Sequence, residues 1–141
     1  MDIKLADNCG FCFGVKRAVS MALEAADKEH HKTVTLGPII HNPQVVGKLV
    51  DKGVGYVDSV DQVDSGTMII RSHGVGPEVY QEAQAKDLEI IDATCPHVKK
   101  AQQDAKAIIE DGRTLIILGE KNHPEVKSIN LWTKNQGIIL E

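Results

Sequence analysis

The sequence has no long hydrophobic run and no excess of basic residues, and each absence excludes a class of protein. No apolar stretch approaches the roughly 18 residues of a membrane-spanning helix, and the first residues lack the apolar core of a secretory signal. The formal net charge of −4 argues against non-specific nucleic-acid binding, which needs a basic surface. We therefore expect a cytoplasmic protein that binds neither a membrane nor nucleic acid.

Cysteine is scarce, and the three present, Cys9, Cys12 and Cys95, are an odd number. An odd count in a cytoplasmic chain is a poor basis for a disulfide framework, so the cysteines favour metal or redox chemistry. The 141 residues, with 42% hydrophobic and 26% charged side chains, are sufficient for about one ordinary core. These values are typical of a globular protein.

Short apolar runs alternate along the chain with segments of helical periodicity. Helices are predicted to begin near Val15, Gln44, Glu78, Pro96 and Pro124. The predicted strands cover residues 3–6, 34–40, 54–57, 68–70, 90–91, 115–118 and 138–140. Such alternation predicts an α/β fold of repeated strand–helix units, with parallel sheets and right-handed crossovers.

The predicted elements divide into two lobes. Residues 1–93 form the first α/β lobe, whose N-terminal strand could pack with a lobe outside this chain. Residues 94–141 form a second α/β lobe that is expected to be incomplete. The reason is the apolar strand at 138–140, which has no element after it, although a buried parallel strand normally leads into another element. An edge strand is the alternative explanation.

A cysteine or histidine, side chains that can bind metal or take part in catalysis, follows each of five predicted strands. These side chains are Cys12, His41, His73, Cys95 and His123. The three histidines and Cys95 each precede a proline that suits the first turn of a helix. Ligands of parallel α/β sheets bind beyond the carboxyl ends of the strands, where helix N-termini favour anions and thiolates. The sequence therefore predicts one site lined by two cysteines, three histidines and Glu125.

Several residues permit more than one interpretation. The Cys9–Cys12 spacing fits a thioredoxin-like dithiol, half of a zinc site or a cluster ligand, and Cys9 itself is expected not to be a ligand. Glu125 is either a proton relay or an acid that stabilises the first turn of its helix. His30 and His31 are expected to be solvated near a helix end.

Five ordered segments together resemble the LytB family of 4-hydroxy-3-methylbut-2-enyl diphosphate reductases. They are residues 10–18, 37–42, 71–75, 92–96 and 122–126. The resemblance covers essentially the whole chain. It implies a three-lobed architecture around a central iron–sulfur cluster of the 4Fe-4S type, held by three cysteines, of which Cys12 and Cys95 match two.

The resemblance also implies roles for the other site residues. His41, His73 and His123 match residues around the substrate diphosphate, and Glu125 matches the acid implicated in protonation. The implied reaction is the reductive dehydroxylation of an allylic diphosphate to isopentenyl and dimethylallyl diphosphates. The electrons would come from a ferredoxin- or flavodoxin-like donor.

The chain departs from the family pattern in two respects. The third cluster cysteine and the C-terminal Ser/Asn substrate-binding residues of the family lie beyond this chain. Residues 128–131, Ser-Ile-Asn-Leu, replace a sequence that is usually glycine-rich. We therefore expect the 141-residue chain to be inactive alone. The alternatives are a non-catalytic scaffold that holds zinc through Cys12, Cys95 and two histidines, and a thiol–disulfide oxidoreductase that uses Cys9 and Cys12.

Overall fold

The computed structural model of the chain describes residues 1–7, 9–28 and 32–141. His30 and His31, expected to be solvated, lie outside the described residues. The helices are α1 (Phe13–Lys28), α2 (Pro43–Asp51), α3 (Pro77–Ala85), α4 (Pro96–Glu110) and α5 (Pro124–Leu131), with a short 3-10 helix at Val60–Gln62. The strands are β1 (Thr33–Leu36), β2 (Gly55–Val57), β3 (Thr67–Ile70), β4 (Glu89–Asp92), β5 (Ile116–Leu118) and β6 (Ile138–Leu140).

The strands form two parallel sheets, one of four strands in the order β2-β1-β3-β4 and one of two strands, β5-β6. The predicted α/β class with parallel sheets is therefore confirmed. The predicted starts of the helices at proline are also confirmed, because α2, α3, α4 and α5 each begin at one. Proline suits that position because its missing N–H would have no helical partner there.

The order of the four-stranded sheet places a topological switch at its centre. After β1 the chain crosses through α2 to β2 on one side, and after β3 it crosses through α3 to β4 on the other side. The loops that leave β1 and β3 therefore diverge and leave a crevice between them. This is where open parallel sheets bind ligands, and His41 and His73 lie in these two loops.

Each face of the four-stranded sheet is covered by its own hydrophobic core. Side chains alternate along β3, so Ile69 packs with the helix α1 residues Ala18 and Ala22 on one face. Met68 and Ile70 pack on the opposite face, together with Ala83 of α3 and others. A central parallel strand covered on both faces is buried throughout, and all four residues of β3 are buried.

The strand predicted at residues 3–6, which could pack with a lobe outside this chain, does not form in this structure. Residues 1–7 form no strand in the structure, and Ile3 and Leu5 are 75% and 83% exposed. Their alternation with polar residues satisfies the local pattern of a strand, but a strand also needs the backbone of a neighbour. In the described part of the chain none of the six strands pairs with this segment.

The strand predicted at residues 34–40 is shorter than expected. β1 ends at Leu36, because Gly37 adopts a φ of +69° that turns the chain out of the sheet. Ile39 and Ile40 are nevertheless buried beneath α1 and α2, which explains why an apolar run continued past the strand. The turn carries His41 beyond the end of the sheet.

The smaller sheet has one uncovered face in the described residues. Ile116, Leu118, Ile138 and Leu140 alternate with partly buried residues and are exposed. Helix α4 packs against α5 beside this sheet. The division into lobes at residues 93 and 94 stays a prediction. Among the helices that the structure describes, none is long and apolar enough to cross a membrane.

Candidate functional site

Three histidines from three separate loops meet above the crevice of the four-stranded sheet. The ring centroids of His41 and His73 are 4.5 Å apart, and the His123 ring lies 5.7 Å from the first and 5.6 Å from the second. One ring nitrogen of each lies within 4.8 Å of one ring nitrogen of the others. The structure thus brings together three of the predicted site residues, which we call the histidine cluster, while their roles stay predictions.

Local capping fixes two of these histidines at the ends of helices. His123 is the N-cap of α5, and its Nδ1 accepts a hydrogen bond from the Glu125 backbone N–H at 3.2 Å. A ring whose Nδ1 accepts is neutral and carries its proton on Nε2. His41 immediately precedes Asn42, whose side chain caps α2 by accepting from the Val45 N–H at 3.1 Å. Two helix N-termini therefore point their unpaired N–H groups towards this region.

His73 is the most perturbed member of the cluster. Burial, followed by the proximity of His41, Arg71 and His123, lowers the pKa of His73 to about 4. The ring is therefore neutral at pH 7. Its Nδ1 atom is buried and has no hydrogen-bond partner among the described residues. A buried polar atom without a partner is costly unless a ligand or water satisfies it.

Arg71 adds a fixed positive charge beside the cluster. Its guanidinium packs against Gly37, where an added Cβ would lie 2.6 Å from one of the terminal nitrogens. Burial lowers the pKa of Arg71, while nearby Asp58 opposes this shift. An arginine stays protonated under all ordinary conditions. The cluster is therefore a group of imidazoles in a positive field, which suits an anionic ligand.

The two predicted metal-binding cysteines lie at the N-terminal ends of helices. Cys12 is exposed and directly precedes α1, and its carbonyl oxygen accepts the Lys16 N–H at 2.9 Å. Cys95 is the N-cap of α4 and is partly exposed. An added Cβ on Gly14, in the first turn of α1, would lie 2.5 Å from the Cys95 sulfur. The Cys95 thiol thus occupies a space that only glycine leaves open, next to the helix that Cys12 begins.

A further contact holds the two cysteine-bearing segments together. Arg17 of α1 donates to the Thr94 carbonyl oxygen at 3.1 Å, which joins the second turn of α1 to the residue before Cys95. Helix N-termini favour anionic sulfur, the form that binds metal. Cys9 is exposed.

Comparison with known proteins identifies the family. The model of the LytB protein family matches residues 3–141. The chain belongs to the LytB family. It is 50% identical over 140 residues to a protein of Geobacter metallireducens and 55% identical over 129 residues to one of Pelobacter propionicus. Both relatives are named 4-hydroxy-3-methylbut-2-enyl diphosphate reductase.

The chain covers only part of these relatives. The two matches include 99% and 92% of this chain, but 49% and 46% of the relatives, so the chain spans about half their length. A solved structure of (E)-4-hydroxy-3-methyl-but-2-enyl diphosphate reductase matches 99% of this chain and 50% of its own, with a TM-score of 0.85 and 42% identity. A Plasmodium falciparum reductase matches 96% of this chain and 43% of its own, with a TM-score of 0.92 and 30% identity.

The LytB-family chain also uses residues that its sequence did not mark as part of the site. Ser128 of α5 and Gln102 of α4 are buried polar side chains that contact each other, and the Ser128 hydroxyl also contacts the His73 backbone. Gln102 interrupts an otherwise apolar helix face, which is a weak signal in the sequence. Glu125 lies in the first turn of α5, two residues after His123, and is partly buried. Its role stays a prediction.

The lowered pKa of His73 predicts that acid destabilises the fold. In the unfolded chain His73 binds a proton near its ordinary pKa of 6.5, whereas the folded chain binds it near 4. Between these values the unfolded state holds more protons, so the free energy of unfolding decreases as the pH falls from about 6.5 to about 4. Urea unfolding across this range should show a flatter slope for His73→Asn than for wild type. His97→Asn, at an exposed position on α4, is the control and should keep the wild-type slope, and equal slopes for all three proteins would contradict the prediction.

Proposed function

We propose that this chain is the diphosphate-binding part of a reductase that converts 4-hydroxy-3-methylbut-2-enyl diphosphate to isopentenyl and dimethylallyl diphosphates. The observation that carries the proposal is the convergence of three imidazoles within 4.8 Å beyond the switch point of a parallel sheet. The relatives, about twice as long, are named for this activity. Activity of the chain alone is not expected, because it spans half of their length.

The histidine cluster is suited to a diphosphate group. His123 presents an Nε2–H donor, because its Nδ1 is occupied by the N-cap of α5. His73 has an unpartnered ring nitrogen, and a bound anion would favour its protonated, doubly donating form. Hydrogen bonds to a charged acceptor are among the strongest in proteins.

The same capping contact argues against zinc at the cluster. A metal binds the lone pair of a ring nitrogen, so coordination through His123 Nε2 would require its proton to move to Nδ1. That atom could then no longer accept the Glu125 N–H, and α5 would lose its cap. A zinc site that includes His123 is therefore the weaker hypothesis. The dithiol oxidoreductase is weaker still, because it leaves the histidine cluster without a role.

We propose that Cys12 and Cys95 are two of the ligands of an iron–sulfur cluster of the 4Fe-4S type. The space that Gly14 leaves at the Cys95 sulfur, and the helix N-termini behind both thiols, fit such a group. The third cysteine ligand implied by the family lies outside this chain. When bound, the cluster would supply electrons singly and make the substrate hydroxyl a better leaving group.

The residues of this chain would bind the substrate and supply a proton. The overall reaction consumes two electrons and two protons and releases water, with the electrons provided by a ferredoxin- or flavodoxin-like protein. The histidine cluster would hold the diphosphate and thereby orient the allylic alcohol. Glu125, two residues after His123 in the first turn of α5, would donate a proton as a carboxylic acid. The donor protein and the cytoplasmic location stay predictions.

The proposal of an iron–sulfur cluster predicts which cysteines the protein needs to bind iron. Anaerobic reconstitution with iron and sulfide should give a protein whose visible absorbance and iron content fall strongly in Cys12→Ser and Cys95→Ser. Cys9→Ser is the matched control and should retain wild-type iron. The measurement should be made on this chain and on a version extended to the length of its relatives. A folded, extended protein that binds no iron would refute the proposal.

The contact between Gly14 and Cys95 gives a second test that removes no sulfur. Gly14→Ala would place a methyl group 2.5 Å from the Cys95 sulfur and should reduce the iron content, although alanine favours a helix. Gly47→Ala, in α2, adds a methyl group with no atom within 4 Å and should leave the iron content unchanged. Equal iron in both variants would show that Cys95 is not held in the position required for ligation.

The proposed diphosphate site predicts that the chain binds inorganic pyrophosphate when no iron–sulfur cluster is bound. We expect His41→Ala, His73→Ala and His123→Ala each to raise the Kd for pyrophosphate roughly tenfold or more, because each removes a hydrogen bond to a charged group. His97→Ala is the control and should match wild type. Calorimetry on the apo chain measures the effect. Wild-type affinity for pyrophosphate in all three histidine variants would exclude these histidines as the diphosphate site.

A further inference from the structure

Helix α5 is tied to the loop that carries His73 by a buried polar contact. Ser128, 2% exposed, has its hydroxyl 2.7 Å from the His73 carbonyl oxygen and 2.9 Å from that of Glu125. A hydroxyl has one proton and donates to one acceptor at a time. The bond to Glu125 lies within the helix, whereas the bond to His73 joins residues 55 positions apart in the chain. Only the second can fix one part of the site against another.

Gln102 limits the orientations of the Ser128 hydroxyl. Its Nε2 donates to the Ser128 oxygen at 3.3 Å, and its side chain is 4% exposed. The contact depends on Gly74, because a Cβ there would lie 2.5 Å from the Gln102 nitrogen. The amide occupies one lone pair of the hydroxyl oxygen, and the hydroxyl proton is left to point towards a carbonyl. Glycine at position 74 therefore leaves the space in which Gln102 contacts Ser128 next to His73.

A third contact continues the same junction. The Trp132 indole N–H donates to the Val75 carbonyl oxygen at 2.9 Å, so α5 and the turn after it hold the loop at both His73 and Val75. Helix α5 also carries His123 at its N-cap and Glu125 in its first turn. A displacement of the loop relative to α5 would therefore change the separation of His73 and His123 directly.

We propose that Ser128, oriented by Gln102, is a positioning residue that holds His73 against His123 in the geometry required to bind a diphosphate group. This inference rests on the proposed function of the histidine cluster. Ser128 does not touch the ligand. It acts through the His73 backbone, and it gives α5 one orientation in which the imidazoles converge.

The test measures the affinity for inorganic pyrophosphate together with the NMR signals of the His73 ring. Inorganic pyrophosphate is titrated into the apo chain by calorimetry, and imidazole nitrogen NMR spectra report the position and pKa of each cluster ring. We expect Ser128→Ala to raise the Kd roughly tenfold, as for a lost buried hydrogen bond, and to shift the His73 ring signals. Ser128→Thr keeps the hydroxyl and should stay within about threefold of wild type. Ser20→Ala is the control, because the Ser20 hydroxyl bonds Glu24 on an exposed face.

Each outcome decides the proposal. A folded Ser128→Ala with wild-type Kd and unshifted His73 signals would overturn it, and so would a Thr variant as weak as the Ala variant. If Ser128→Ala does not fold, Gln102→Leu removes only the orienting amide. It should then raise the Kd roughly threefold and shift the His73 signals, and no change in either would overturn the proposal. Failure of wild type to bind pyrophosphate would refute the proposed diphosphate site, while the His73 signals of the free proteins would still test the positioning role.

Discussion

The parallel pairing of β1 with β3 is the interaction on which the site depends. In this pairing Leu36 lies opposite Ile70, so the two strands end side by side. The chain then leaves β1 towards β2 and leaves β3 towards β4, in opposite directions across the sheet. A crevice opens where the two paths diverge, and the residues that follow the strand ends are brought together there. His41 and His73, 32 positions apart in sequence, become neighbours because of this pairing.

The other parts of the molecule complete that crevice from two sides. On one face, the small residues Ala18 and Ala22 let α1 pack closely on the sheet, and the N-terminus of α1 lies beside Cys12 and Cys95. On the other side, α5 brings His123 to the two histidines of the sheet. The proposed diphosphate-binding end and the proposed iron–sulfur-binding end of the site are therefore held by different helices. Substitutions at one end can be studied without removing the other.

The sequence predicts the parts of the fold that depend on local rules. The local signals are proline at the first turn of a helix, apolar runs for buried parallel strands and histidine after a strand end. They predicted one site for His41, His73 and His123, whose rings lie together in the structure, while their roles stay predictions. The strand predicted at residues 3–6 does not form within this chain, because pairing requires a neighbour that no local pattern supplies. The contacts of Ser128 with His73 and with Gln102 were missed because each joins distant parts of the chain. The tautomer of His123 is inferred from the hydrogen bond that its Nδ1 accepts in the folded chain.

A site that binds the diphosphate group has a consequence for the proposed reaction. Substrate and products carry the same diphosphate group, so contacts to that group stabilise all of them equally and cannot by themselves accelerate the chemical step. Their contribution is to hold the alcohol end in one orientation. In the proposed reaction, the preference for the transition state must come from groups that act on the alcohol, which we propose to be Cys12 and Cys95 at the starts of α1 and α4 and Glu125 in the first turn of α5. Because a rigid junction between α5 and the His73 loop keeps the anchored end fixed, small shifts at Ser128 should affect both binding and the alignment of the reacting carbon.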